Sequence, residues 1–416
     1  MSPTSERLAP ASPAMPDDAP VMVHVASRVT EEVFSFLGPA TAALKSEGIT
    51  PMLVTLDDPA ARVWLERFDP SVRLVLVPPS WQPLGDQVRL RAAAVRAVRR
   101  CRRLEGVHFH GVIPRVLGAS VIKAVGPRTP VFFSPHGSRL LGSLSLGGRV
   151  VLRFTGWQRG GAGQRTIASH KVDQQRLSAV VDARVNLIES PVPGVFLDIA
   201  RREAAAPIII GGSQTAADDE AVEMFTRFAV LLRDTAREAA FCWIGPVSDA
   251  QRKLLGTVSA TIVPRDDEIE RARWLARAWI YLASGGGRGV PVGLTEAMAV
   301  GVPCVVADTP FHREIVDARV NGFVFGSEDE ALLLIAELLD SPPLRATVGQ
   351  AGRAEATRRF GDETFRQRLL QVYGRAHASP QAAVPGEAPA RAAEPSSAGR
   401  AERTAARAGA KSPIRI

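Results

Sequence analysis

Cysteine is scarce: Cys101, Cys242 and Cys304 are the only three in 416 residues. They are too few and too scattered for a disulfide framework or a cysteine-ligated zinc cluster, and a reducing cytoplasm suits them. Aromatic residues make up 6% of the chain and do not interleave with basic ones, so a base-stacking nucleic-acid platform is excluded. No run approaches the ~20 consecutive apolar residues of a membrane span, so an integral membrane protein is not expected. The first twenty residues hold Pro3, Glu6, Pro10, Pro13, Pro16, Asp17 and Asp18 without an apolar stretch, and no signal peptide is read there. Lysine is also rare: 46 of the 51 basic residues are arginine. With so much Ala, Pro and Gly, that bias matches a GC-rich coding sequence. The net charge of +8 is therefore no argument on its own for a nucleic-acid partner.

What is present is the composition of a folded enzyme-sized protein, 46% hydrophobic and 23% charged. Residues 1–20 and 379–416 are rich in Pro, Ala, Ser and Gly and are expected to be disordered. Between them, short apolar runs alternate with helix-period stretches. Strands are expected at 21–25, 52–56, 73–77, 107–109 and 131–133, with helices at 31–47 and 86–103. The alternation restarts after Pro207, with strands at 208–210, 241–244, 260–263, 280–283 and 304–306 and helices at 218–233, 269–278 and 294–300. Such alternation implies parallel strands covered on both faces. The fold class expected is α/β, two Rossmann-like doubly wound domains facing across a cleft. The first domain is placed at 21–190, a linker at 191–206, the second domain at 207–361 and a final helix crossing back at 362–378.

The most informative stretch runs from Tyr281 to Ala307. A strand enters a loop with Gly285, Gly286, Gly287 and Gly289, and a helix opens near Gly293. Free N–H groups at a helix start, approached closely over glycine, suit a diphosphate. Glu296, placed in the first turn, could accept hydrogen bonds from sugar hydroxyls. The alternative is that the glycines only permit tight strand–helix packing, with Glu296 serving the helix dipole.

The pattern Glu296-Ala-Met-Ala-x-Gly-x-Pro-x-Val-x-Ala307, followed by His312 to Val316 and Asn321 to Val324, resembles the donor-binding half of family 4 glycosyltransferases. In the first domain, His108-Phe-His-Gly111 and Ser134-Pro-His-Gly137 resemble that family's strand-end His-Gly signatures. The resemblance implies a GT-B fold and retaining transfer of a sugar from a nucleotide-sugar donor, with no metal or other cofactor. It implies Glu296 on the ribose and the backbone of Gly289, Val290, Pro291, Val292, Gly293 and Leu294 on the diphosphate and sugar. His136 would contact the donor sugar near the reaction centre, and His110 with Gly111 would line the acceptor side.

Two departures stand out. The family's Glu-x7-Glu pair places its first acid at Arg288, and the segment from Ile208 to Asp219 lacks the Arg and Lys that hold the donor diphosphate. Each such charge-assisted contact contributes roughly 1.5–3 kcal/mol. Arg288 could supply the missing cation as a catalytic residue, pair with an acidic donor sugar, or be an ordinary solvated arginine. A degenerate, non-catalytic GT-B protein acting as a binding or scaffold partner in glycan assembly is the alternative function.

His24 and His377 are read as structural, while His170 and His312 are left open. The arginine-rich helix near 89–103 and the stretch 140–157 could rest on anionic lipid or be ordinary solvated surface. The expectation is a cytoplasmic enzyme, peripheral on the inner face of the membrane. Its substrates would be a nucleotide-sugar donor and a glycan or lipid-linked acceptor for surface polysaccharide.

Overall fold

Apolar runs of the sequence become two parallel sheets. The structure, a computed structural model, describes residues 7–8, 18–80, 82–111, 115–126, 128–136, 164–179, 185–214, 218–235, 238–285 and 291–374. All of these lie in one unit, Met1–Ala376. The expected tail at 379–416 and the stretch 140–157 fall outside the described residues.

The first sheet contains β1 (Arg7–Leu8), β2 (Pro20–Ala26), β3 (Thr50–Leu56), β4 (Arg73–Val77), β5 (Arg103–His110), β6 (Val131–Ser134), β7 (Gln164–Ala168) and β8 (Val185–Leu187). Their spatial order is β1-β4-β3-β2-β5-β6-β7-β8. Only β1 runs antiparallel, against β4. The second sheet contains β9 (Ile208–Gly212), β10 (Ala240–Ile244), β11 (Thr261–Val263), β12 (Ile280–Ala283), β13 (Cys304–Ala307) and β14 (Phe323–Phe325). It is parallel throughout, in the order β11-β10-β9-β12-β13-β14. Strands such as β2 and β9 are almost wholly buried because helices cover both faces, which is why their sequences read as unbroken apolar runs.

The strand order reverses between β2 and β5 in the first sheet and between β9 and β12 in the second. At such switch points the crossover helices lie on opposite faces and leave a crevice at the strand C-termini. Ala26, His110 and Ser134 stand at that end of one sheet, Gly212 and Ala283 at that end of the other.

Helix Glu31–Ser46 shows how locally the sequence acts. Thr30 caps it by accepting from the Val33 N–H, Glu31 and Glu32 complement the dipole, and Phe36, Leu37, Ala40 and Leu44 are buried at helical spacing. The last helix, Asp362–Tyr373, puts Phe365, Leu369 and Tyr373 into the same apolar cluster as Phe36, Ala40 and Phe132 of the first domain. The two chain crossings are tied together: Val192 N–H donates to Phe360 O at 2.9 Å, and buried Glu189 accepts from Arg359 at 2.7 Å and Arg368 at 2.9 Å.

Three expectations need correction. The helix expected at 86–103 spans Pro83–Arg100, because Cys101 is extended and Arg103 already belongs to β5. Residues 7–8 pair on the edge of β4 inside a stretch expected to be wholly disordered. Strands β7 and β8 and the helix Lys171–Ser178 between them were not read at all, being short and flanked by polar residues.

Candidate functional site

Between the domains lies a buried chain of alternating charges. Glu296 is the fifth residue of helix Val292–Val300, just past the first turn in which the sequence places it. It is 1% exposed. Its Oε1 accepts from Arg271 Nη2 at 2.8 Å and stands 3.6 Å from Arg265 Nη2. Arg265 in turn donates from Nε to Glu31 Oε1 at 2.6 Å. Glu31 opens the first helix of the first domain, whereas Arg265 follows β11 and Arg271 lies on helix Glu268–Arg277 of the second. The order Glu31–Arg265–Glu296–Arg271 therefore alternates sign and balances two acids with two bases.

Burial raises the Glu31 pKa, with Arg265 opposing the shift. Burial would lower the Arg265 pKa, but Glu296 and Glu31 outweigh it and the net shift is upward. Deleting one member of such a buried pair costs about 3–5 kcal/mol, because the other is left uncompensated. A second ion pair, Arg67 with Glu268, joins the domains nearby.

Glu296 also lines a cavity of about 730 Å³, within the usual range for small-molecule sites. Phe34, Trp64 and Phe68 of the first domain, Val192 at the chain crossing, and Val292 and Glu296 of the second domain all line it. Phe34 meets Trp64 in a tilted pair at 5.5 Å and Phe68 edge-on at 5.1 Å, with the Arg67 guanidinium 5.1 Å above the Phe34 ring. Such a wall suits the apolar face of a sugar ring or of a lipid.

The histidines form a separate network. The parallel register puts His24 beside His108 and His110 beside Ser134. His24 Nδ1 lies 3.0 Å from His110 Nε2, and His110 Nδ1 lies 3.0 Å from His136 Nε2. His108 Nε2 lies 2.8 Å from Ser134 Oγ. Burial lowers the pKa of His24 and of His136 to about 3, and burial with neighbouring histidines takes His108 and His110 well below 6.5. All four are neutral near pH 7. His24, His108 and His110 bring ring nitrogens within 4.8 Å of one another, a spacing a metal could use. However, both His108 nitrogens already have hydrogen-bond partners, and the rings of His108 and His110 lie 4.0 Å apart in a tilted stack. The arrangement fits neutral imidazoles better than metal ligands.

The expected residues are thus distributed unevenly. Glu296 and Val292 line the cavity, and Pro291 caps their helix. Leu294 is a core residue, and Gly293 packs against Tyr281. His110 is 1% exposed, with Nε2 facing His24 and Nδ1 facing His136. His136 has φ +31, an uncommon conformation for a non-glycine residue, and Gly111 has φ +77 with its N–H donated to Ser134 O at 2.8 Å. Arg288, Gly289 and Val290 lie outside the described residues. His24, read as structural, proves to be one end of the histidine network, while His312 is buried against Ala307 O at 2.7 Å. At the β9–β12 switch point an acid is present: Asp218 accepts from Ser213 Oγ at 3.1 Å and crowds Gly285. Glu31, Arg265, Arg271 and the aromatic wall were missed by sequence reasoning. Arg265 stands just past a strand C-terminus, the same signal that singled out His136.

Two facing Rossmann-like sheets, with a cavity and a buried acid between them, define a GT-B protein. Solved structures with this fold include Anabaena HepE in complex with UDP and glucose, at TM-score 0.65 and 14% identity over 85% of this chain and 99% of that one. Sucrose-phosphate synthase from Thermosynechococcus elongatus aligns at TM-score 0.66 and 14% identity over 86% and 98%. Residues 250–355 match the family described as glycosyl transferases group 1. Arg265, Arg271 and Glu296 all lie within this stretch. A GDP-mannose-dependent monoacylated alpha-(1-6)-phosphatidylinositol monomannoside mannosyltransferase of Corynebacterium glutamicum is 35% identical over 92 residues, 21% of this chain and 24% of that protein. The phosphatidyl-myo-inositol mannosyltransferase of Mycobacterium leprae is 33% identical over 110 residues, 26% and 29% respectively. The chain thus matches about a quarter of the length of these curated relatives.

Proposed function

We propose that this protein transfers a sugar from a nucleotide-sugar donor to a hydroxyl of a glycan or lipid-linked saccharide, retaining anomeric configuration, in surface polysaccharide synthesis. The carrying observation is the position of Glu296: a buried carboxylate in the wall of the interdomain cavity, on a helix within the stretch that matches the group 1 family. A carboxylate there can accept from a ribose diol, and the hydrogen bond from Arg271 at 2.8 Å fixes its orientation. His136, neutral at physiological pH, can hydrogen-bond a sugar hydroxyl without placing a full positive charge beside an oxocarbenium-like centre. Charge developing on the leaving diphosphate falls to guanidinium and backbone N–H groups, and the reaction requires no metal in this reading. The names of two partial relatives, a phosphatidylinositol monomannoside mannosyltransferase and a phosphatidyl-myo-inositol mannosyltransferase, support a lipid-linked acceptor.

Peripheral membrane attachment belongs to the same proposal. Helix Pro83–Arg100 presents Leu84 at 82% and Val88 at 62% exposure. Arg91, Arg99 and Lys123 surround the adjoining groove, the composition of an interfacial helix on anionic lipid.

Thermal shift across UDP-, GDP- and ADP-sugars is the test, since a ligand of the native state alone raises Tm. One donor should stabilise the protein, Glu296→Ala should abolish that shift, and the same donor should label a lipid extract. A donor-specific shift without any transfer would favour the non-catalytic binding alternative, and no shift with any donor would overturn the donor site.

A further inference from the structure

The stretch after β9 carries no basic residue to meet a donor diphosphate, and Asp218 stands there beside Ser213 and Gly285 instead. We infer that Arg265 is the cation for the diphosphate of a nucleotide ligand, and that the Glu31 carboxylate occupies this guanidinium until ligand phosphate displaces it. The inference rests on the donor reading above for the ligand's chemistry and adds a binding residue and an interdomain latch.

Four observations carry it. Arg265 is 8% exposed, yet its Nη2 makes no hydrogen bond and only approaches Glu296 Oε1 at 3.6 Å. A buried guanidinium with an unused donor has capacity for another acceptor. Second, its close partner belongs to the other domain: Glu31 Oε1, at 2.6 Å, leads helix Glu31–Ser46. Separation of the domains would break this contact and uncover Arg265, while Arg271 and Glu296, both in the second domain, would stay paired at 2.8 Å.

Third, the charge balance singles out Arg265. Arg271 already compensates Glu296, so Arg265 is the member left to neutralise an anion arriving from outside. Phosphate carries more charge and more acceptor oxygens than one carboxylate and suits the planar fork of arginine. Replacing Glu31 by phosphate keeps the alternation of sign intact. Fourth, Arg265 follows the C-terminal end of β11, the outermost strand, on the same carboxyl edge of the sheet that carries the β9–β12 switch point, and lies within contact range of Glu296.

Calorimetry on the full chain tests this without an activity assay. The probes are UDP and GDP beside uridine and guanosine, titrated into the unsubstituted protein, Arg265→Gln, Arg265→Lys and Glu31→Gln. The diphosphate should bind about tenfold or more tighter than its nucleoside, the increment of one charge-assisted contact. Arg265→Gln should erase that increment while leaving nucleoside affinity within about twofold, and Arg265→Lys should keep part of it. Glu31→Gln should tighten the diphosphate several-fold by removing its competitor. A full diphosphate increment in folded Arg265→Gln would overturn this inference and leave the donor reading standing. Failure of the unsubstituted protein to bind any of the probes would overturn both.

Discussion

The hydroxyl of Tyr373, in the last helix, stands 2.7 Å from Nδ1 of His108 on β5, joining residues 265 positions apart. With Tyr373 donating to Nδ1, His108 carries its proton on Nε2 and donates to Ser134 Oγ at 2.8 Å. With the donors reversed the contacts are the same, and in either case the helix that follows the second domain holds the ring of a first-domain histidine in place. Tyr373→Phe keeps the ring packed on Phe132, 4.4 Å away, and leaves a buried nitrogen without a partner. Loss of about 1–3 kcal/mol in urea unfolding is expected. A change below about 0.5 kcal/mol would mean that this bond adds nothing net to holding the helix.

The histidine network sets a pH dependence of known sign. His24 is depressed from 6.5 to about 3 by burial, so the folded protein keeps it neutral while the unfolded chain takes up a proton near 6.5. Its contribution to stability is complete above that value, declines as pH falls through 6.5, and is exhausted near 3. Asp173, raised to about 6 by burial, works in the opposite direction over part of that range, so a comparison is needed. His24→Asn can still face His110 with a polar group but cannot titrate. Between pH 6.5 and 5, the unsubstituted protein should lose stability more steeply than His24→Asn by about 1 kcal/mol per pH unit. Parallel slopes in urea titrations would show that His24 protonates in the folded state.

Much of this architecture was legible because local and global signals agree. Ile208, Ile209 and Ile210 form an apolar run between a proline and glycines, and Thr30 with Glu31 announces a helix start. The boundary near Cys101 was misread because the arginines from 96 to 103 keep helical composition across the change to strand, and composition does not mark where the backbone becomes extended. Glu296 was legible from its motif. Its partners were not, because the Arg265–Glu31 contact joins positions 234 apart, and only the packing of two domains brings them together. Strand periodicity likewise put His24, His108 and His136 on strands or at their ends. It did not specify the register, His24 beside His108 and His110 beside Ser134, that makes them one network.

The structure also bears on whether the glycines of the motif serve a ligand or the fold. A Cβ on Gly293 would meet Tyr281 Oη at 2.3 Å, and the next nearest atom is Tyr281 Cζ at 3.3 Å. Tyr281 is itself buried in the core. Gly293→Ala should therefore destabilise the protein by about 1–3 kcal/mol through overpacking. Tyr281→Phe removes the offending oxygen, so Gly293→Ala should cost much less in that background, giving a coupling energy of about 1 kcal/mol or more in a double-mutant cycle. Nucleotide binding by thermal shift separates the two roles. If Gly293 is a packing residue, the double variant binds nucleotide as the Tyr281→Phe parent does. Should stability return while binding stays lost, the glycine is there to let a ligand approach the start of helix Val292–Val300.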